Sequence, residues 1–219
     1  MSYVIKVGGS LIPAAVSGLC EVFRQVDSRD PAVLAAGGGQ IADVLRGYTK
    51  QLTIDHRNLY YMALHSMDQN GILISAAGNF PTFQSISDLR NMNLNSCCVY
   101  LPTLDFLHCN TLKTYDIDKL TSDTIAVLIA LRLKRDLLIV TDVDGIFDSD
   151  PGTNSTAALQ ARVEAASLTQ PTCVDLEAAK LIGKHGLNVF VVNGNHPDRI
   201  AAFLSGKPTI GTKIETRPF

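Results

Sequence analysis

The chain has 219 residues, 46% of them hydrophobic and 18% charged, with a formal net charge of −2. That balance excludes a disordered chain and leaves one large domain or two small ones around a continuous core. It also excludes a charge field that would gather nucleic acid or coat an anionic membrane, so any anionic ligand must be held by local geometry.

The longest apolar run, residues 125–131, is far short of the roughly twenty residues a membrane-spanning helix needs. No basic leader followed by an apolar stretch and a cleavage site precedes the first predicted strand. Five cysteines with no C-x-x-C spacing point to reduced, buried thiols and a cytoplasmic location.

Tyr3-Val4-Ile5-Lys6-Val7 is a β-branched run ending in Gly8-Gly9-Ser10, a strand that enters a tight turn. Leu19, Val22, Phe23 and Val26 follow at helical spacing. Ala32-Val33-Leu34-Ala35-Ala36 is a second apolar run ending in glycines, Gly37-Gly38-Gly39, and Ile41, Val44, Leu45 and Tyr48 mark the next helix. Two successive strand–glycine–helix units predict a parallel sheet with helical crossovers. Residues 56–70 read as a helix with Leu59, Met62, Ala63, Ser66 and Met67 on one face. Residues 80–95 are polar and rich in turn formers, and read as a mobile surface excursion. A strand is expected over 98–102, with the side chains of Cys97 and Cys98 on opposite faces. Thr121-Ser122-Asp123 opens a helix, and Asp136–Thr141 is the clearest buried strand, feeding Asp142-Val143-Asp144-Gly145. A helix over about 175–185, a strand over 188–192, a helix from Pro197 and a short strand over 209–214 close the chain. A boundary between halves falls between Lys113 and Lys119.

Lys6 stands two residues before Gly8-Gly9 at the carboxyl end of a strand, the edge where parallel sheets bind ligands. Glycines there admit close approach of a phosphate to the backbone amides, and a lysine adds a compact positive charge. Gly37-Gly38-Gly39 repeats the device one unit later. One such loop suggests one phosphate site, two at one edge a donor and an acceptor facing each other, and the alternative for each is a plain turn. Neither is a G-x-x-x-x-G-K-[ST] or G-x-G-x-x-G sequence, which argues against a P-loop or nicotinamide site. Asp123 is open to two readings, a helix cap or a partner that keeps Lys6 charged and oriented. Asp142 and Asp144 sit at the ligand edge for ribose, for metal, or to close a turn. No Ser–His–Asp arrangement or permanent metal cluster has suitable spacing.

In order and spacing, Lys6-Val-Gly-Gly-Ser10, Gly37–Gly39, Thr121-Ser-Asp123-Thr-Ile-Ala126, Thr141-Asp-Val-Asp-Gly-Ile-Phe147 with Asp150-Pro151, and Gly211-Thr-Lys-Ile214 resemble the amino-acid-kinase superfamily. The resemblance covers nearly the whole chain. It implies an α/β three-layer sandwich with a mainly parallel central sheet, the carbamate-kinase-like fold. It implies a single domain with an N-terminal acceptor-binding half (about 1–115) and a C-terminal ATP-binding half (about 116–219). ATP and Mg²⁺ would be the cofactors, a small phosphate acceptor the partner, and the assembly a homo-oligomer. Lys6 and the amides of Gly8, Gly9 and Ser10 would stabilise the transferred phosphoryl group, and Asp123 would organise the lysine. Gly37, Gly38, Gly39 and Asp116 would face the acceptor. Thr141, Asp142, Asp144, Gly145 and Phe147 would face the nucleoside of ATP. Lys119, Lys180 and Lys213 are candidates for a second assisting lysine. Tyr61-Met62-Ala63, Cys173-Val174-Asp175 and Phe190-Val-Val-Asn193-Gly194 with Pro197-Asp-Arg199 further resemble the kinases that phosphorylate an aminomethylfuran-methanol phosphate in methanofuran biosynthesis. Uridylate-type and isopentenyl-phosphate-type kinases, and a non-catalytic nucleotide- or oxyanion-binding protein, are the alternatives on the same fold.

Overall fold

The computed structural model describes residues 3–27, 29–89, 92, 96–108, 120–170 and 172–216. Short apolar and β-branched runs form β1 (Tyr3–Val7), β2 (Val33–Ala36), β3 (Thr82–Phe83), β4 (Cys98–Tyr100), β5 (Asp136–Thr141), β6 (Arg162–Glu164), β7 (Val189–Asn193) and β8 (Thr212–Glu215). They join in one sheet of order β3-β4-β2-β1-β5-β7-β8-β6. Every neighbouring pair is parallel except β7–β8. Strands covered on both faces must be apolar on both, which is why β2 and β4 are buried at every position.

The described α-helices are α1 (Val16–Phe23), α2 (Gly39–Thr49), α3 (His56–Gly78), α4 (Ile86–Leu89), α5 (Thr103–His108), α6 (Ser122–Leu133), α7 (Leu176–His185) and α8 (Pro197–Leu204), with short 3₁₀ turns at Gly9–Leu11 and Ala165–Ser167. One core holds Ile125 and Ile129 of α6, Ile182 of α7 and Leu64 of α3. The other holds Leu19 and Phe23 of α1 and Ile200 of α8. The three-layer arrangement is the one expected. Cys98 belongs to the first core and Cys97 to the second, on opposite faces as strand geometry requires. The same alternation orients β1. Val4 packs in the first core and Ile5 and Val7 in the second, so Lys6 shares the face of Val4, under α6.

Within the stretch 80–95, residues 80–83 depart from the expected surface excursion, and residues 90, 91 and 93–95 lie outside the described residues. Phe80 and Phe83 are buried, and Thr82–Phe83 pairs parallel with β4, so the segment opens as the sheet's edge strand. Its polar composition hid two aromatics whose burial decides the matter. The helix expected over 56–70 runs on to Gly78, where Asn79 in the left-handed conformation (φ 55°) ends it. The short edge strand β6 had no periodic signal. The expected boundary at 113–119 lies outside the described residues.

At the carboxyl edge the ladder continues into the turns. Gly8 N donates to Val140 O at 2.7 Å, and Gly37 N donates to Val7 O at 2.8 Å. The two glycine turns then meet backbone to backbone. A Cβ on Gly9 would lie 2.2 Å from Gly39 N, and one on Gly37 would lie 2.7 Å from Gly9 N. Gly39 also has φ +52°, which favours glycine. Gly9→Ala should therefore destabilise the fold by about 1–3 kcal/mol in chemical denaturation. Gly47→Ala, within α2 and with nothing within 4 Å of the added carbon, should stabilise it by up to about 1 kcal/mol. An unchanged midpoint for Gly9→Ala would show that the turns can separate.

Candidate active site

Lys6 Nζ lies 2.7 Å from Asp123 Oδ1, with the two side chains only 9% and 10% exposed. Asp123 does not cap its helix. Thr121 is the N-cap of α6, its hydroxyl accepting from Asp123 N at 3.2 Å and Thr124 N at 3.3 Å. Asp123 stands in the first turn, where the helix dipole favours a carboxylate, and its side chain is left for Lys6. Asp123 Oδ2 accepts from Asp175 N at 3.3 Å. Asp175 caps α7 by accepting from Ala178 N at 2.8 Å, and it also accepts from the Thr121 hydroxyl. The starts of α6 and α7 are thus clasped around the ion pair. An ammonium has three donors, so Lys6 can satisfy Asp123 and still offer hydrogen bonds to an anion.

Both glycine turns stand at this edge. Asn70, buried on α3, donates to Gly37 O at 2.7 Å and fixes the second turn from behind. Ser10 is exposed beyond the first. The half-buried Cys173 lies near the pair, its Sγ 3.4 Å from Gly145 O. Burial, and then the Asp123 charge, push its thiol up to about 11, so it is an inert neighbour at neutral pH.

After β5, Thr141 is buried and its hydroxyl donates to Asp142 Oδ1 at 3.3 Å, while Asp142 itself is exposed. Asp144 has one oxygen engaged by the protein. Its Oδ1 accepts from Asn193 Nδ2 at 2.9 Å and Arg199 Nη1 at 2.6 Å. The Asn193 hydrogen bond, aided by Arg199, holds its carboxyl below the ordinary value against partial burial. Gly145 (φ +148°) lies against Thr212, whose hydroxyl accepts from Ile146 N at 2.8 Å and donates to Gln160 O at 2.7 Å. Beyond it, Ile146, Phe147, Gln160, Val163, Leu168 and Thr172 line a cleft of about 430 Å³.

On the other side of the glycine turns, a cavity of about 300 Å³ lies between α2, α3 and the start of α6. Gly38, Thr121 and Ser122 form its polar end, Leu45, Leu64, Met67 and Ile125 are among its walls, and Arg46, His56 and Tyr60 also line it. Asp116 lies outside the described residues, as does Lys119. Asp43 is exposed, pairs with Arg46, and does not line the cavity. Lys180 lines a cleft with Asp123 and Asp175 while pairing with Glu177 at 3.3 Å. Lys213 lies on β8, 4.0 Å from Glu215. Tyr60, Asn70, Ser122 and Arg199 were not singled out as site residues from sequence. Ser122 and Arg199 lay inside the motifs Thr121-Ser-Asp123 and Pro197-Asp-Arg199, and Asn70 stood out as a polar residue in an apolar helical stripe.

The sequence profile of the amino acid kinase family matches residues 100–193. A [5-(aminomethyl)furan-3-yl]methyl phosphate kinase from Methanocaldococcus jannaschii is 31% identical over 97% of both chains. A uridylate kinase from Thermofilum pendens is 27% identical, again over 97% of both. Among solved structures, uridylate kinase from Archaeoglobus fulgidus superposes with a TM-score of 0.77 at 21% identity, covering 98% of this chain and 100% of that one. Isopentenyl phosphate kinase from T. acidophilum gives 0.67 at 19% identity, covering 99% and 100%. Profile, full-length relative and shared architecture agree with the paired glycine turns and the buried lysine, and the chain belongs to the amino acid kinase family.

Proposed function

We propose that this chain transfers a phosphoryl group from ATP to a small phosphate monoester, an (aminomethyl)furan-methanol phosphate, giving its diphosphate in methanofuran biosynthesis. The observation that carries the reading is the buried Lys6–Asp123 pair beside two glycine turns in backbone contact. The name of the Methanocaldococcus jannaschii relative supports the acceptor. So does the cavity, since about 300 Å³ is at the small end for ligand sites and suits one compact ring.

Phosphoryl transfer asks the protein mainly for positioning and charge neutralisation. Lys6 and the amides of Gly9 and Ser10 hold the transferred group, the expected Gly8 amide being kept by Val140 O instead, and Asp123 aims the lysine. Gly37, Gly38 and Gly39 receive the acceptor's phosphate, and Asp116 is a further acceptor-binding residue. Thr141, Asp142, Gly145 and Phe147 border the nucleoside, and Asp144 shapes that loop through Arg199. The N-terminal half (about 1–115) thereby serves the acceptor and the C-terminal half (about 116–219) the nucleotide. Mg²⁺ would be carried in by ATP and, when bound, would supply charge neutralisation between the phosphates beside Lys6. Lys180, at the mouth of the Asp123–Asp175 cleft, is the better placed of the described candidates for a second lysine. The working protein is a cytoplasmic homo-oligomer. An exposed stripe of Val44, Tyr48 and Leu52 along and just beyond α2 supports association. Uridylate remains the second acceptor to try, because uridylate kinases match the chain over nearly its full length.

Lys6→Met should lower kcat by about 10²–10³, the scale for losing one charge-stabilising donor. It should also destabilise the fold by about 3–5 kcal/mol, because Asp123 is left buried and unpaired. Lys6→Met with Asp123→Leu should recover most of that stability and none of the activity. Recovery of turnover in the double variant, followed by coupled ATP-consumption assay, would remove Lys6 from the chemistry. The acceptor is tested by comparing kcat/KM for the aminomethylfuran phosphate, uridylate and isopentenyl phosphate. The furan should lead, and a lead for either amine-free acceptor would sink that assignment while leaving the kinase standing.

A further inference from the structure

Tyr60 lies in the first turns of α3 and is only 5% exposed. Its hydroxyl meets no hydrogen-bond partner among the described residues. Burying a hydroxyl without a partner is unfavourable, and native folds leave few such groups. Packing does not require it, since phenylalanine would supply the same ring at this position. What distinguishes Tyr60 is its place in the wall of the cavity behind Gly38, among Ala63, Leu64, Met67 and Ile125. Arg46, His56, Thr121 and Ser122 line the same cavity, yet none of them hydrogen-bonds the phenol. Burial raises the phenol above its ordinary pKa, so it stays neutral and can both donate and accept.

We propose that the Tyr60 hydroxyl sets acceptor specificity by hydrogen-bonding a polar group on the body of the phosphate acceptor, away from its phosphate. The proposal rests on the reading of this cavity as the acceptor site. A purely hydrocarbon pocket discriminates weakly between ligands of equal size. A buried group that the right ligand satisfies and the wrong one leaves unpaired discriminates far more strongly. The pocket therefore selects a phosphate monoester with a polar ring over an all-hydrocarbon chain. Gly38 and Ser122 mark the phosphate end of the cavity and Tyr60 its selective wall.

Calorimetric binding to the full chain tests this without requiring turnover. The probes are [5-(aminomethyl)furan-3-yl]methyl phosphate, uridylate and isopentenyl phosphate, each against wild type and Tyr60→Phe. Wild type should bind a polar-ringed probe more tightly than isopentenyl phosphate. Tyr60→Phe should weaken the polar-ringed probe about tenfold and change isopentenyl phosphate by less than about twofold, with ATP affinity unmoved. The denaturation midpoint of the ligand-free variant should match or exceed that of wild type. A hydroxyl with a merely structural role would instead lower the midpoint and leave the affinity ratios alone, and that result overturns the proposal. Equal losses for all probes, a wild-type preference for isopentenyl phosphate, or binding of none of them overturns it as well. Failure of the kinase reading would look different, namely probe binding with no ATP consumption.

Discussion

No side chain fits between Gly9 and Gly39, and that contact fixes how close the first two strand ends can come. β1 and β2 are hydrogen-bonded neighbours, so their turns stand about one strand spacing, roughly 4.8 Å, apart. An anion on each turn would bring two charged groups almost into contact. At about 4 Å and an effective dielectric near 20, each pair of unit charges costs about 4 kcal/mol. The geometry that makes transfer between the two groups short is the geometry that makes their approach unfavourable. In the proposed reaction Lys6, on the β1 face that looks toward α6, is the group that would meet that repulsion.

A lysine can be held there only with help. Its side chain is about nine-tenths buried, and an unpaired ammonium in that position would lose its charge or unfold the site. Asp123 supplies the counter-charge, and is itself supported by the first turn of α6 and the Asp175 amide. Thr121 relieves Asp123 of capping, and Asp175 performs that task for α7. Two ordinary helix starts, each with its own cap, therefore leave one carboxylate free for a special purpose. The arrangement is a chain of dependencies, in which the lysine rests on a carboxylate and the carboxylate on two helix ends.

Much of this was legible in the amino acids. Glycines after β-branched runs announced both turns, because only a residue without Cβ allows such close backbone approach. Strand alternation placed Cys97 and Cys98 on opposite faces before any coordinates did. Pairing of Lys6 with Asp123 stood as one of two readings, and Thr121 decided between them by taking the cap. What escaped was whatever depends on long-range contact. Thr82–Phe83 became a strand because β4 was there to pair with it, and nothing local in a polar stretch says so. Asp144 looked like a ligand residue from its position. Arg199 and Asn193, some fifty residues on, engage one of its oxygens, a contact that its position alone did not announce. Tyr60 was not singled out in the amino acids, since the lack of a partner for its hydroxyl among the described residues is visible only in three dimensions.

The order of the strands has a consequence for how the molecule comes to be made. Of the described strands β1 is the first to be synthesised, yet it lies in the middle of the sheet, flanked by β2 and by β5, which begins at Asp136. Until β5 arrives, one side of β1 is an unpaired edge of backbone donors and acceptors. The loop after β5 waits longer still, because the Thr212 hydroxyl that anchors Ile146 lies on β8. The site is thus completed by one of the last described segments to be synthesised. During the interval a nascent chain carries an exposed apolar strand of the kind that chaperones and neighbouring chains recognise.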